Sequence, residues 1–269
     1  MSFGNTSRDK PKLRWLGIAA KESGKWRAWM TSTCEATLEV FASPQLMAEH
    51  VAAWLLKLAL AKEGVFAVCL SGGATPRELY RLLANPSYRE RFPWPRTHWF
   101  WGDERFVPHH DALSNYRMAN EMLLSRAPIP AENIHGIPTE GLDPDESAGA
   151  YERMLKSFYG ADQFDSARPL FDVTFLGLGT DGHTASLFPG NIALQVRDKW
   201  VCAVVGTPEP RITLTYPAIE SCRHAAFLVV GHEKGRILSR LRRGDQHLPA
   251  AHLCPIGTLS IFADAAAAD

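Results

Sequence analysis

The chain has 269 residues, 46% of them hydrophobic and 22% charged, the make-up of a globular protein with a sizeable core. Lysine plus arginine equals aspartate plus glutamate, at 29 each, so no net field points to nucleic acid or to an anionic membrane, and no apolar run approaches the roughly 20 residues needed to span a bilayer. The five cysteines (Cys34, Cys69, Cys202, Cys222 and Cys254) are odd in number and form no CxxC pair, which predicts reduced thiols in a cytoplasmic protein rather than a disulfide framework or a zinc site.

Residues 1–34 differ from the rest. They hold Trp15, Trp26 and Trp29, seven Lys or Arg and only two acids. They lack the apolar stretch of a secretory signal. They are expected to form a flexible N-terminal extension with no catalytic role, with Met30 a candidate start. Residues 35–269 are expected to form a single α/β domain.

From residue 44 to 62, Leu46, Met47, Val51, Trp54, Leu55, Leu58 and Ala59 recur at helical spacing, with Ser43 as N-cap and Pro44 at the first position. The run VFAVCL that follows has the look of a strand covered on both faces. It leads into SGGATP and a helix carrying Leu79, Tyr80, Leu82 and Leu83. THWFW is the next strand and ends in GDER; after SNYR comes a helix through Met118 and Met122. NIHGI predicts a short strand, and residues 146–158 an amphipathic helix. FDVTFL predicts a buried strand feeding the turn GLGTDGH. WVCAVV predicts a strand, PRITLT an extended or helical piece, and AAFLVV a buried strand that breaks at GHEKG before a helix. The last apolar segment is residues 258–262, and residues 263–269 are expected to fray.

Strands and helices alternate, which predicts a Rossmann-like, predominantly parallel sheet with helices on both faces. Four loops, SGGATP, GDER, GLGTDGH and GHEKG, each follow the carboxyl end of an apolar strand. Ligands bind at that edge of an open α/β sheet, so these distant motifs are expected to meet in one crevice.

The residue types in these loops suit a phosphate monoester. Ser71, Gly72, Gly73 and Thr75 offer backbone N–H groups and hydroxyls at a helix start. Arg105, Arg211 and Lys234 supply cations; Arg77 is less convincing. Neither GxxxxGK[ST] nor a GxGxxG after the first strand is present, so a nucleotide ligand is poorly supported. His183 is the preferred general base, because an imidazole accepts protons near neutral pH. Asp181 either orients it or binds substrate hydroxyls, and Asp103 is a second carboxylate candidate. His98, His224 and His252 sit beside apolar segments and read as structural. His109, His110 and Asp111 lack the spacing of a metal site. No GxSxG elbow supports a serine nucleophile.

SGGATP, GDERFVP with SNYR, GLGTDGHTASLFP, PRITLT and GHEKG with LPA resemble the 6-phosphogluconolactonase family, in the same order and over residues 36–262. The resemblance implies a Rossmann-like fold and hydrolysis of 6-phospho-D-glucono-1,5-lactone in the oxidative pentose phosphate pathway. It implies a small sugar-phosphate lactone as partner, no nucleic acid or membrane, and no metal or organic cofactor. A monomer or small homo-oligomer is expected. His183 matches the proposed base, Asp181 its supporting acid, Arg105 and Arg211 basic site positions, Lys234 a phosphate-binding lysine, and residues 71–75 the phosphate loop. Two rivals remain. A glucosamine-6-phosphate deaminase-like isomerase would use Asp103 as its base, but those enzymes resemble IAFNEP where this chain has TASLFP. A non-catalytic sugar-phosphate sensor would carry a helix-turn-helix module, for which residues 1–40 are too short and unpatterned.

Overall fold

The computed structural model describes residues 12–16 and 33–269. Its strands are β1 (Lys12–Leu16), β2 (Thr33–Phe41), β3 (Phe66–Leu70), β4 (Thr97–Trp101), β5 (Asp103–Arg105), β6 (Ile134–His135), β7 (Phe171–Gly177), β8 (Val201–Val204), β9 (Arg211–Leu214), β10 (Cys222–Val229) and β11 (Thr258–Asp264). Its α-helices are α1 (Pro44–Ala61), α2 (Pro76–Leu83), α3 (Pro86–Arg89), α4 (Asn115–Ala119), α5 (Pro144–Tyr159), α6 (Tyr216–Glu220), α7 (Gly235–Arg242) and α8 (Ala265–Ala268).

Eight strands form the central sheet, in the order β1-β2-β11-β10-β7-β3-β4-β6. All neighbours run parallel except β1 and β2. The helices surround this sheet. Every residue of β3 is buried, as its unbroken apolar sequence requires of a central parallel strand. α1 starts where Ser43 accepts a hydrogen bond from the Leu46 N–H, and it buries Met47, Val51, Leu55 and Ala59 along one stripe. A capping box between Asp143 and Glu146 starts α5.

The strand order reverses between β3 and β7. From β3 the chain moves outward to β4 and β6; it then returns to β7 and continues through β10 to β11 on the other side. The carboxyl ends of β10, β7, β3 and β4 therefore lie side by side. Their loops are the four motifs singled out above, so the crevice forms at the switch point. A second sheet, antiparallel β5-β9-β8, stands over β4; Leu214 N–H donates to the Gly102 carbonyl at 2.8 Å.

Four expectations need correction. Lys12–Leu16 is a strand whose register runs from Lys12 opposite Thr37 to Leu16 opposite Thr33, and the boundary expected at residue 35 falls inside β2. Residues 1–11 and 17–32, with Met30, lie outside the described residues. Cys34 and Cys254 form a disulfide with their Cα atoms 5.5 Å apart, while Cys69, Cys202 and Cys222 are free thiols. Residues 263–269 do not fray: the Asp264 side chain accepts the Ala267 and Gly231 N–H groups, and Ala267 is buried. Asp103–Arg105, read as loop, is a strand antiparallel to Arg211–Leu214, which takes the extended of the two forms expected of it.

Candidate active site

A cavity of about 370 Å³ opens at the switch point. It is lined by residues 71–76 after β3, Asp103 and Arg105 of β5, Asn115, residues 176–180 at the end of β7 and beyond it, with His183 and Ala185, Arg211 of β9, and Glu233 with Lys234 after β10. The four loops do meet. Ser71, Gly72, Gly73, Thr75, Asp103, Arg105, His183, Arg211 and Lys234 all reach its wall. Asp181 stands behind His183, and Arg77, exposed on α2, is not in the lining.

The turn after β7 is built around close approach. Gly179 N–H donates to the His183 carbonyl at 2.8 Å, and Gly182 N–H to the Gly179 carbonyl at 3.0 Å. A Cβ at Gly179 would overlap the His183 imidazole and the Asp181 carboxylate. Asp181 Oδ1 accepts the His183 backbone N–H at 3.0 Å and lies 2.6 Å from His183 Nδ1. Burial pushes the Asp181 carboxyl up, but the His183 N–H and imidazole outweigh it and hold the acid below its ordinary value. The carboxylate therefore stays an acceptor, and the ring proton belongs on Nδ1. Nε2 has no hydrogen-bond partner among the described residues and carries the free lone pair. Phe188 packs against the ring at 4.6 Å between centroids.

The cations pair across the small sheet. Arg105 and Arg211 occupy opposed positions of β5 and β9. Burial and the nearby Arg105 charge lower the Arg211 pKa. Both Nε atoms are buried donors without a partner among the described residues. Two crowded guanidinium groups with orphaned donors are a cradle for an anion. Lys234 enters from the next loop.

Beneath the cations lies a polar scaffold. Glu104 is 1% exposed, and its carboxylate accepts the N–H groups of Arg105, Asn115 and Tyr116 and the Ser114 hydroxyl. Burial raises its pKa against the pull of those donors. It pins α4 so that the Asn115 side chain covers Gly72, where any Cβ would collide with it. The histidines read as structural find local partners: His98 with His135, His224 with Thr258, and His252 with the Gln246 carbonyl. His109 stacks on Tyr116. Among the described residues no three His, Cys, Asp or Glu side chains cluster as a metal site would require.

Residues 42–260 match the family described as glucosamine-6-phosphate isomerases/6-phosphogluconolactonase. The chain is 40% identical over 215 residues to a 6-phosphogluconolactonase of Nostoc, covering 79% of this chain and 87% of that one. The chain belongs to this family. Among solved structures, the 6-phosphogluconolactonase of Thermotoga maritima is similar with a TM-score of 0.70 and 32% identity, over 85% of this chain and 98% of that one. A monomeric glucosamine-6-phosphate deaminase shares the fold alone, at a TM-score of 0.74 and 18% identity over 86% of this chain and 98% of that one.

As a member of the glucosamine-6-phosphate isomerase/6-phosphogluconolactonase family, the chain keeps more of its site in the quoted motifs than sequence reasoning assigned. Asn115 of SNYR lines the cavity and Ser186 of TASLFP binds Asp103, yet neither was given a role. Both are small uncharged polar residues, and nothing in their local sequence marks them for a role. Leu248 and Ala250 of LPA support the turn from behind, through packing on Gly182 and an N–H donated to its carbonyl at 3.0 Å.

Proposed function

We propose that this chain hydrolyses 6-phospho-D-glucono-1,5-lactone to 6-phospho-D-gluconate, the hydrolytic step of the oxidative pentose phosphate pathway. The observation that carries the mechanism is His183 held through Nδ1 by Asp181, with Nε2 left free on a wall shared with two arginines whose Nε donors have no partner among the described residues. Water attacks the lactone carbonyl while Nε2 takes its proton, a role worth about 10²–10⁴-fold. Arg105 stabilises the oxyanion. When the intermediate collapses, the ring oxygen leaves and His183 returns the proton to it. Arg211, Lys234 and the loop of Ser71, Gly72, Gly73 and Thr75 hold the phosphate, and that remote binding aligns the carbonyl. Such a reaction needs proton transfer and charge stabilisation, which these side chains supply.

No helix among the described residues is long and apolar enough to cross a membrane. We assign the enzyme to the cytoplasm because a doubly charged phosphate ester does not cross a bilayer unaided, so its hydrolase works where the ester is made. The balanced charge of 29 basic and 29 acidic residues supports a small-molecule partner without nucleic acid. We take the chain from the start of β2, residues 33–269, as the catalytic domain, acting as a monomer or small homo-oligomer.

The test is a coupled assay in which the phospholactone is generated from glucose 6-phosphate and its disappearance followed, with ammonia release from glucosamine 6-phosphate as the control. Lactone turnover that collapses in His183→Ala is expected. Ammonia release without lactone turnover would overturn the reading.

A further inference from the structure

Two carboxylates on the cavity wall, Asp103 and Glu233, are not used by the mechanism above, and Asp103 is the buried one. Asp103 is 8% exposed and lines the wall between β5 and the turn after β7. It forms no salt bridge among the described residues, although its charge is felt by Arg211. Its Oδ2 accepts the Ser186 hydroxyl at 2.7 Å. Asn115 Nδ2 donates to the Asp103 carbonyl at 2.9 Å and lies 3.4 Å from Oδ1. The carboxylate is thus gripped from behind by a hydroxyl and steadied from the side by an amide.

Ser186 is placed with care. It is fully buried, and its N–H donates to Thr213 Oγ1 at 3.2 Å. Thr213 sits opposite Asp103 in the β5–β9 register. The preceding residue, Ala185, has φ of 49°, a left-handed conformation that a side chain other than glycine's seldom adopts. That twist turns the chain so that Ser186 faces Asp103, three residues after His183. A backbone conformation this uncommon persists where surrounding contacts enforce it, and the bond to Asp103 is one of them.

We propose that Ser186 is a positioning residue for the reaction: its hydroxyl fixes the Asp103 carboxylate as an acceptor for a substrate hydroxyl, and so sets the orientation of the sugar ring against His183. This rests on the lactonase reading and extends it from the phosphate and carbonyl to the ring hydroxyls. An ionised carboxylate is acceptor-only, so it pairs with hydroxyls of the polyol ring. With Oδ2 committed to Ser186, Oδ1, which takes only the long 3.4 Å bond from Asn115, keeps a lone pair for a substrate hydroxyl. The same commitment opposes use of Asp103 as a mobile base toward a C–H bond, the role it would take in an isomerase.

The experiment compares wild type, Ser186→Ala, Ser186→Cys, Asp103→Asn and the double variant Asp103→Asn/Ser186→Ala. For each, kcat and KM for the phospholactone, the Kd for 6-phosphogluconate, the pH profile of kcat and the thermal midpoint are measured. Ser186→Ala is expected to raise KM and Kd about tenfold, with kcat within about threefold and its pH profile unmoved, as loss of one oriented hydrogen bond requires. Ser186→Cys keeps the shape with a weaker donor and falls between; it also serves if the alanine variant does not fold. In the Asp103→Asn background, Ser186→Ala is expected to add less than about twofold, because the serine acts through the aspartate. A purely structural serine would lower the thermal midpoint and leave KM and Kd at wild-type values, and that result overturns the proposal, as do fully additive losses. A wild type that binds 6-phosphogluconate but does not turn over the phospholactone would defeat the lactonase reading instead, with the Ser186 effect still read in Kd.

Discussion

His183 Nδ1 sits 2.6 Å from Asp181 Oδ1, and this contact leaves Nε2 as the ring nitrogen without a partner among the described residues. The carboxylate accepts the Nδ1 proton, so the lone pair lies on Nε2. His183→Ala is expected to lower kcat by about 10²–10⁴-fold while 6-phosphogluconate binds within about threefold of wild type. Asp181→Asn keeps the size but offers an amide in place of an obligate acceptor. In the proposed mechanism the half-exposed Asp181 orients the base rather than acting as one, so the variant should lower kcat less, by about 10–10²-fold. Steady-state kinetics beside product calorimetry separate the two. Equal product affinity with unchanged kcat in His183→Ala would remove the histidine from the mechanism.

Much of the fold was legible because the central strands announce themselves locally. Residues 66–70 are apolar throughout and buried throughout. The four loops were found because glycine and charge follow such runs. What escaped depends on distant partners. Asp103–Arg105 is three residues long and becomes a strand only through its register with Arg211–Leu214. Thr33–Phe41 lies next to a tryptophan-rich, basic stretch, and its pairing with Thr258–Asp264 spans most of the chain. Cys34 and Cys254 are 220 residues apart, a separation that leaves no local trace. The alanine-rich end looked like a fraying tail because the capping Asp264 is a single residue. In the site, the charged residues were read and the small polar ones behind them, Asn115 and Ser186, were not; charge suggests a ligand from sequence, whereas a supporting hydroxyl shows its role only through geometry.

Arg211 is the test of the anion cradle. Its guanidinium is crowded by Arg105 and its Nε is unsatisfied, so a bound phosphate relieves both costs. Arg211→Gln removes the charge and keeps much of the stem. It is expected to raise KM for the phospholactone by about 10–10²-fold with a smaller change in kcat, the signature of lost binding. Inorganic phosphate should compete with substrate in the wild type, more weakly as salt rises. Undiminished competition by phosphate in Arg211→Gln would place the phosphate elsewhere.

Two half-buried groups pull stability in opposite directions with pH. Burial, and beyond it His98, lowers the His135 pKa from 6.5 to about 4. The unfolded chain takes up that proton first, so its contribution is fully present above pH 6.5 and is lost as pH falls toward 4. Burial raises the Glu220 carboxyl from 4.5 to about 7, against the Cys254 N–H. Here the folded chain keeps the proton, so the contribution is present below pH 4.5 and is lost as pH rises toward 7. The windows overlap and the effects offset. His135→Gln should therefore reveal a thermal midpoint that falls from pH 5 to 7, and Glu220→Gln one that falls from about pH 6.5 to 5, relative to wild type. Parallel profiles for all three proteins would discard both assignments.

Asp172 anchors the opposite end of the sheet from the cavity. It is 3% exposed at the start of β7 and takes the Ala67 N–H at 2.8 Å and Lys62 Nζ at 2.6 Å, with Arg223 Nε at 3.3 Å. Truncating the carboxylate leaves a buried N–H without an acceptor and two cations without their counter-charge. Asp172→Ala is expected to lose about 3–5 kcal/mol in urea unfolding with an unchanged KM. Lys62→Met leaves Arg223 and the Ala67 N–H in place, and its cost should be smaller, since Lys62 is a third exposed.

The Cys34–Cys254 bridge ties β2 to the segment after Leu248–Ala250, and it closes a loop of 220 residues. In the chain-entropy picture a loop of that size restricts the unfolded chain by several kcal/mol, about 5 as an upper figure. Neither cysteine lines the cavity. Reduction with dithiothreitol, or the Cys34→Ser variant, is therefore expected to lower the thermal midpoint by several degrees while leaving kcat and KM for the phospholactone within about twofold. Cys34→Ser should also become insensitive to dithiothreitol, because Cys69, Cys202 and Cys222 are free thiols with nothing to reduce. A wild type whose midpoint ignores the reductant would show that the two sulfurs are not joined in solution; a reductant effect that persists in Cys34→Ser would assign it to another pair.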